Sequence, residues 1–410
     1  MKVRSLITGA AAILIVAAVV PGARAQTFQE GTTSVGGFAA FDLRVFPERA
    51  LHTGQDNQTL NPSFVLQPEV FHDWNDGNDR LAFVPFARVD PADAERSHTD
   101  IRELTWLHVG DGWDIKVGAD KVYWGVAESR HLVDIINQTD AVEDVDGEEK
   151  LGQPMINLGL QNDWGDVNVF FMPYFRERTF PGTNGRLRSS IVIDTDRASY
   201  ESSNGQHNPD MALRYTTVAG DWDIGLSYFR GTSREPNFDV GVNETGDTVL
   251  VPRYDLINQT SFDVQATVEE WLWKAEGIYR SGHGKNFGAA TAGFEYSFYG
   301  LIQESGDLGV IVEYHYDKRD ATAPGALHNN DFFVGGRITL NDADDTDFLA
   351  GVLVDRNTGA RSFSLEADRR LTDHWTVEAE LRISGGLTEE DVNFDARRDN
   401  HLQVRATYYF

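Results

Sequence analysis

HLQVRATYYF, residues 401–410, is the stretch whose reading decides the fold. Leu402, Val404, Ala406, Tyr408 and Phe410 alternate with His401, Gln403, Arg405, Thr407 and Tyr409, so one face is apolar and the other polar. That is the two-residue period of a β-strand with one wet face and one apolar face. An edge strand of a soluble sheet reads the same way, so the remainder of the chain has to discriminate.

Toward the amino terminus, runs of the same kind recur from about Ser34 onward. Alternation predicts strands over 34–46, 63–74, 80–90, 100–109, 113–124, 154–163, 166–176, 210–218, 222–230, 261–268, 271–280, 288–298, 308–317, 332–340, 346–355, 362–369, 374–384 and 401–410. The total is about 18, with 16 the lower bound. Links after the even-numbered strands are short, as at 75–79, 110–112, 219–221 and 269–270. Those after odd-numbered strands are long, notably 47–62, 125–153, 177–209, 231–260 and 385–400. A soluble sandwich has no reason to sort its loops by parity, whereas a closed transmembrane barrel does, with the short turns periplasmic. Pro68, Pro85 and Pro173 fit poorly inside strands, and 100–109 alternates badly.

Tryptophan supplies an independent regularity. Trp113, Trp164, Trp222, Trp271 and Trp375 each open a strand directly after a short turn, in the contexts GWDI, DWGDV, DWDIGL, EWLWKAE and HWTVEAE. The ring is apolar while its N–H wants a partner, so tryptophan favours a membrane–water boundary. Five at one level predict an aromatic girdle on the short-turn rim.

The terminal strand resembles the C-terminal assembly signal of Gram-negative outer-membrane β-barrels, with Tyr408 and Phe410 at its end, and residues 34–410 resemble porin-like barrels in architecture. The resemblance implies an all-β fold, a closed antiparallel barrel in the Gram-negative outer membrane, in which 401–410 pairs with 34–46. It also implies outer-membrane lipids, lipopolysaccharide and the barrel-assembly machinery as partners, and small polar solutes as cargo. A monomer and a homotrimer both fit it.

Residues 1–25 carry a basic head, Lys2 and Arg4, an apolar stretch from Leu6 to Val20, and Ala23-Arg24-Ala25 before Gln26. This pattern predicts a cleaved secretory signal peptide, since the apolar run falls short of the roughly 20 residues that span a bilayer. Residues 26–33 would then form a short periplasmic segment, too small for a plug. The formal charge is −28, and loss of Lys2, Arg4 and Arg24 brings it to −31. So acidic a chain excludes nucleic acid as a partner. It has no cysteine, which removes disulfides and thiolate metal sites.

The third long link, 125–153, holds the apolar run Leu132, Val133, Ile135 and Ile136, which a loop in open water does not need. Three placements are open: folded inward as a constriction, packed across the outer mouth, or disordered. The first is similar to the third loop of many porins. It would bring Glu128, Arg130, His131, Asp134 and Asp140 to the lumen, opposite wall candidates Arg88, Lys116, Arg176, Arg214, Lys274, Glu276, Arg280, Glu313, Arg337, Glu380 and Arg382. Facing bands of charge order water and favour polar solutes, but a mixed lining assigns no ion selectivity.

Other chemistry has thinner support. Ser129, His131 and Asp134 are types found in hydrolytic triads, yet neighbours on one loop rarely reach that geometry. The acidic turns 144–149 and 341–347 could hold Ca2+, although neither completes an EF-hand loop. The sequence therefore predicts no enzyme, no resident cofactor and no defined metal site. Its leading functional expectation is a channel for passive diffusion of small hydrophilic solutes; a scaffold barrel anchoring a partner is the alternative, and a surface enzyme the third reading.

Overall fold

The computed structural model describes residues 27–28, 31–144, 146–302 and 305–410. The signal-peptide expectation lies outside the described residues.

Among the described residues, eighteen wall strands follow in chain order: β1 Gly31–Val45, β2 Leu60–Trp74, β3 Asp79–Val89, β4 Thr99–Val109, β5 Trp113–Asp120, β6 Gln153–Asn162, β7 Gly165–Met172, β8 Asp210–Ala219 and β9 Trp222–Thr232. The second half comprises β10 Leu256–Val268, β11 Trp271–Gly282, β12 Gly284–Ile302, β13 Gly306–Asp317, β14 Asn330–Thr339, β15 Asp347–Asp355, β16 Arg361–Thr372, β17 Trp375–Gly385 and β18 His401–Tyr409. Each pairs antiparallel with its neighbours in sequence, and β18 pairs with β1, setting Arg405 opposite Asp42 and Tyr409 opposite Phe38. The result is a closed 18-stranded antiparallel barrel with no free sheet edge.

Alternation places the side chains. Phe64, Phe83, Leu226 and Phe262 point outward and are exposed, whereas Asp42, Ser63, Arg88 and Glu313 point inward and are buried. The poorly fitting segments have local causes. Pro68 and Pro85 occupy opposed positions on β2 and β3, between the paired residues Leu66↔Ala87 and Val70↔Phe83, where the ladder lapses because neither ring has an N–H. On β4 the register against β3 steps over Arg102, a bulge that breaks the alternation and aims that side chain inward. Pro173 simply follows the end of β7.

Several boundaries differ from the sequence expectation. The wall begins at Gly31 rather than 34, β5 stops at Asp120 rather than 124, and β7 at Met172 rather than 176. Strand β12 is much longer than 288–298 and is joined to β11 through His283 alone, a tight exception to the long-link parity. The link after β9, read from sequence as a loop over 231–260, contains its own hairpin, Asn237–Val242 with Thr248–Tyr254. Trp113, Trp164, Trp222 and Trp375 are exposed at the short-turn rim, and Trp271, half-buried beside them, stacks on Trp273 with ring centroids 5.3 Å apart.

Candidate functional site

The segment between β5 and β6, residues 121–152, touches wall strands in widely separated sectors of the ring. Its two ends are held together by Asn137. That side chain donates to the carbonyls of Asp120 at 2.7 Å and Leu151 at 2.9 Å, and accepts from the Val122 N–H at 2.9 Å. These bonds replace the strand ladder that ends at Asp120, so backbone polar groups leaving the wall are satisfied rather than stranded.

Packing fixes the first half of the segment. Trp124, Leu132, Val133, Ile135 and Ile136 are buried against inward-facing Met155, Phe170, Phe229, Ile278 and Phe287. Removing a side chain of this size from water is worth about 1.5–3 kcal/mol as an upper bound. Two wall carboxylates tie down the backbone over this cluster. Glu276 accepts from the N–H groups of Val126 at 2.6 Å, Ala127 at 2.8 Å and Val133 at 3.1 Å. Glu313 accepts from the N–H groups of Glu128 at 2.7 Å and Ser129 at 2.9 Å. Arg130 reaches Asp317 at 2.8 Å, and Arg234 holds the Ile136 carbonyl at 2.8 Å.

The second half is held from across the ring. Asp140 lies 2.7 Å from Arg102 and accepts from the Thr179 hydroxyl at 2.6 Å. Glu143 is clasped by Arg88 at 2.6 Å, and Arg88 also binds Asp42 on the closing seam, which Arg405 reaches at 2.6 Å. Arg382 on β17 lies 2.7 Å from Asp146. Arg44 on β1 donates to the Glu143 carbonyl at 2.7 Å, so anchors on β11 and β13 and on β1, β3 and β17 lie in different arcs of an 18-strand ring, and the segment is a chord across the lumen. Buried charges of this kind are tolerated because each guanidinium meets a carboxylate. Beside these contacts, the Glu148 bond raises the His131 pKa above the usual imidazole range. Burial, reinforced by the neighbouring Asp144, pushes Asp146 up to about 7.

Beside the chord a sector of the lumen stays open. A cavity of about 1040 Å3 lies between Ala127–Glu149 and the wall from β14 to β18. Its lining runs from Asp391 and Asp399 in the link before β18 to Tyr409 at the short-turn end. It therefore extends the height of the wall. Fourteen carboxylate residues line it among the described residues, against three arginines and no lysine.

The predicted lining residues divide accordingly. Glu128, His131, Glu380 and Arg382 line the cavity. Arg88, Glu276, Glu313 and Arg280 are buried, Arg280 against Glu235 at 2.6 Å. Asp134 is held by Lys150 at 3.2 Å, Lys116 by Asp120 at 2.8 Å and Arg214 by Asp263 at 2.7 Å. Lys274 and Arg337 converge on Glu128, at 3.5 and 2.8 Å. Arg176 is not on the wall, because β7 ends before it; it pairs with Asp100 at 2.8 Å. Sequence reasoning passed over Asp144, Asp146, Glu366, Asp368 and Asp399 as lining. Alternation within 362–369 could have placed Glu366 and Asp368 on the inner face.

Ser129 has neither His131 nor Asp134 as its partner. Its hydroxyl donates to Glu313 at 2.6 Å and lies 2.8 Å from Nε2 of His315, whose Nδ1 is 3.0 Å from Thr291. Together with the Glu128 and Ser129 N–H bonds to the same carboxylate, the hydroxyl bond joins the segment to β13. In the 341–347 turn, Arg369 reaches Asp342 and Asp344, and Arg370 lies 2.6 Å from Asp345.

A closed antiparallel barrel with a polar, partly filled interior is thus the class of protein the fold defines. No family model matches the chain, and no curated protein matches it. Among solved structures it is similar to a multiply substituted Rh. blastica porin, with 12% identity over 92% of this chain and 100% of that one and a TM-score of 0.45. It is likewise similar to OmpT, an outer membrane protein of Vibrio cholerae solved in trimer form, with 11% identity over 93% of this chain and 100% of that one and a TM-score of 0.44.

Proposed function

We propose that this protein is an outer-membrane channel through which small hydrophilic solutes diffuse passively, narrowed by residues 121–152. The observation that carries the reading is the cavity whose lining reaches from the long-loop rim to the short-turn rim beside the chord. The exposed apolar outer face and the tryptophans at one rim support placement in a bilayer, where a closed barrel satisfies its own backbone. An outer-membrane address follows from this barrel form. Transport needs no reacting group, and the Ser129 hydroxyl, committed to Glu313, supports a role other than nucleophile.

Single-channel recording on the purified full chain in planar bilayers tests the reading, and stable conductance steps are expected. Replacing residues 144–149 by a shorter glycine–serine link removes much of the segment's bank of the cavity and should raise the conductance. No steps from the native protein would overturn the channel, and an unchanged conductance in the variant would overturn the narrowing role.

A further inference from the structure

The charges of the lumen are sorted. Arg88, Arg102, Arg214 and Arg280 are engaged in pairs beneath or beside the chord, with Glu143, Asp140, Asp263 and Glu235. None of these arginines lines the open cavity. What remains to face water is mostly carboxylate, on both banks of the passage.

The wall bank is arranged against its own stability. Strands β16 and β17 are in a register that sets Glu366 opposite Glu380 and Asp368 opposite Glu378, and all four line the cavity. Like charges directly opposed across a ladder disfavour pairing, so folding does not ask for this arrangement. Asp144 and Asp146 stand on the facing bank. Two guanidinium groups lie among them: Arg382, 2.7 Å from Asp146, 3.8 Å from Asp144 and from Glu366, and bonded to Glu380, and Arg405, opposite Glu378 across the β17–β18 ladder and bonded to Asp42. Toward the long-loop end Asp399 is buried in the lining; its Oδ1 accepts from Arg186 at 3.0 Å, while Oδ2 has no hydrogen-bond partner among the described residues.

We infer that the passage selects cations, with guanidinium and primary-ammonium solutes as its preferred class, a conclusion that rests on the channel reading above. Carboxylates on both sides of a narrow aqueous path between low-dielectric walls concentrate negative potential, raising the local concentration of cations and excluding anions. Arg382 displays the chemistry from within: a guanidinium already satisfies carboxylates of both banks, and a mobile one entering the passage meets the same donors' partners.

Reversal potential under a KCl gradient in planar bilayers, with the full chain, tests the inference. The native protein should reverse toward the potassium equilibrium potential, with K+ several-fold more permeant than Cl−, and proteoliposomes should swell faster in arginine than in glutamate. The quadruple change Glu366→Gln, Asp368→Asn, Glu378→Gln, Glu380→Gln should bring reversal toward zero while conductance steps persist; Asp144→Asn with Asp146→Asn gives a second variant on the other bank. Steps that reverse at zero or toward chloride in the native protein overturn cation selection and leave the channel standing. Absence of steps overturns both.

Discussion

Arg382 and Asp146, 236 positions apart in the chain, meet at 2.7 Å, where the β17 wall touches the chord that crosses the lumen. The same guanidinium approaches Asp144, Glu366 and Glu380, so one side chain bridges the two banks of the cavity.

Removing that bridge should widen the path and make it more acidic. Arg382→Gln is expected to raise single-channel conductance and strengthen preference for K+. Because this partly exposed network is screened by water, barrel stability should change by no more than about 1 kcal/mol. Conductance and reversal potential, recorded beside thermal unfolding, check both halves; lower conductance with weaker cation preference would contradict the assignment of Arg382 as a bridge.

The closing seam is far less tolerant. Asp42 is fully buried and binds Arg88 and Arg405 together, so Asp42→Ala leaves two guanidinium groups short of a partner. Breaking a buried pair by deleting one member costs about 3–5 kcal/mol. A matching loss in urea or heat denaturation, followed by the mobility change of the folded barrel on gels, is the expected result.

Docking of the chord depends on its apolar half. Ile136 is fully buried among the cluster that includes Trp124 and Phe229, and Ile136→Ala should weaken that docking by about 2–5 kcal/mol through lost contacts and a residual cavity. The wall ladders are untouched, so the barrel should assemble while the open-channel current becomes noisier. A quiet trace identical to the native one would show that the chord is held without this cluster.

Selectivity should also depend on pH. Burial and the adjacent Asp144 push the Asp146 pKa up to about 7, opposed by Arg382, with Glu380 adding repulsion. Below that value Asp146 is neutral and above it ionised. Lowering the pH from a unit above to a unit below should therefore weaken the preference for K+. Asp146→Asn should remove that part of the pH dependence. The same raised value means that the folded state holds this proton more tightly than the unfolded chain, so the group's effect on stability is least unfavourable in acid. Its cost accrues as pH rises through the window from the ordinary carboxylate value of 3.8 to about 7.

Much of this was legible along the chain. The eighteen alternating runs match the eighteen wall strands, and the pairing of 401–410 with the first strand follows from closure. Period-two alternation is a local property, and a barrel wall is made of local alternation repeated, so Leu402 and Val404 declare their face without reference to any distant residue. Strand ends were less legible where a side chain such as Asn137 replaces the ladder, and the bulge at Arg102 shows only as broken alternation. The apolar run Leu132–Ile136 signalled that the third long link packs against something, but could not say what.

The sequence by itself determined the barrel, its strand faces and the unusual third link, because these depend on neighbours one or two residues apart. Only the tertiary structure decided which charges face water. Arg88, Arg214 and Glu380 are all inward residues in the sequence pattern, yet the two arginines are consumed in ion pairs away from the cavity and Glu380 lines it. That division depends on where the chord from 121 to 152 lands across the lumen. Its landing points are set by partners distant in the chain, such as Arg88 for Glu143, Glu276 for Val126 and Arg382 for Asp146.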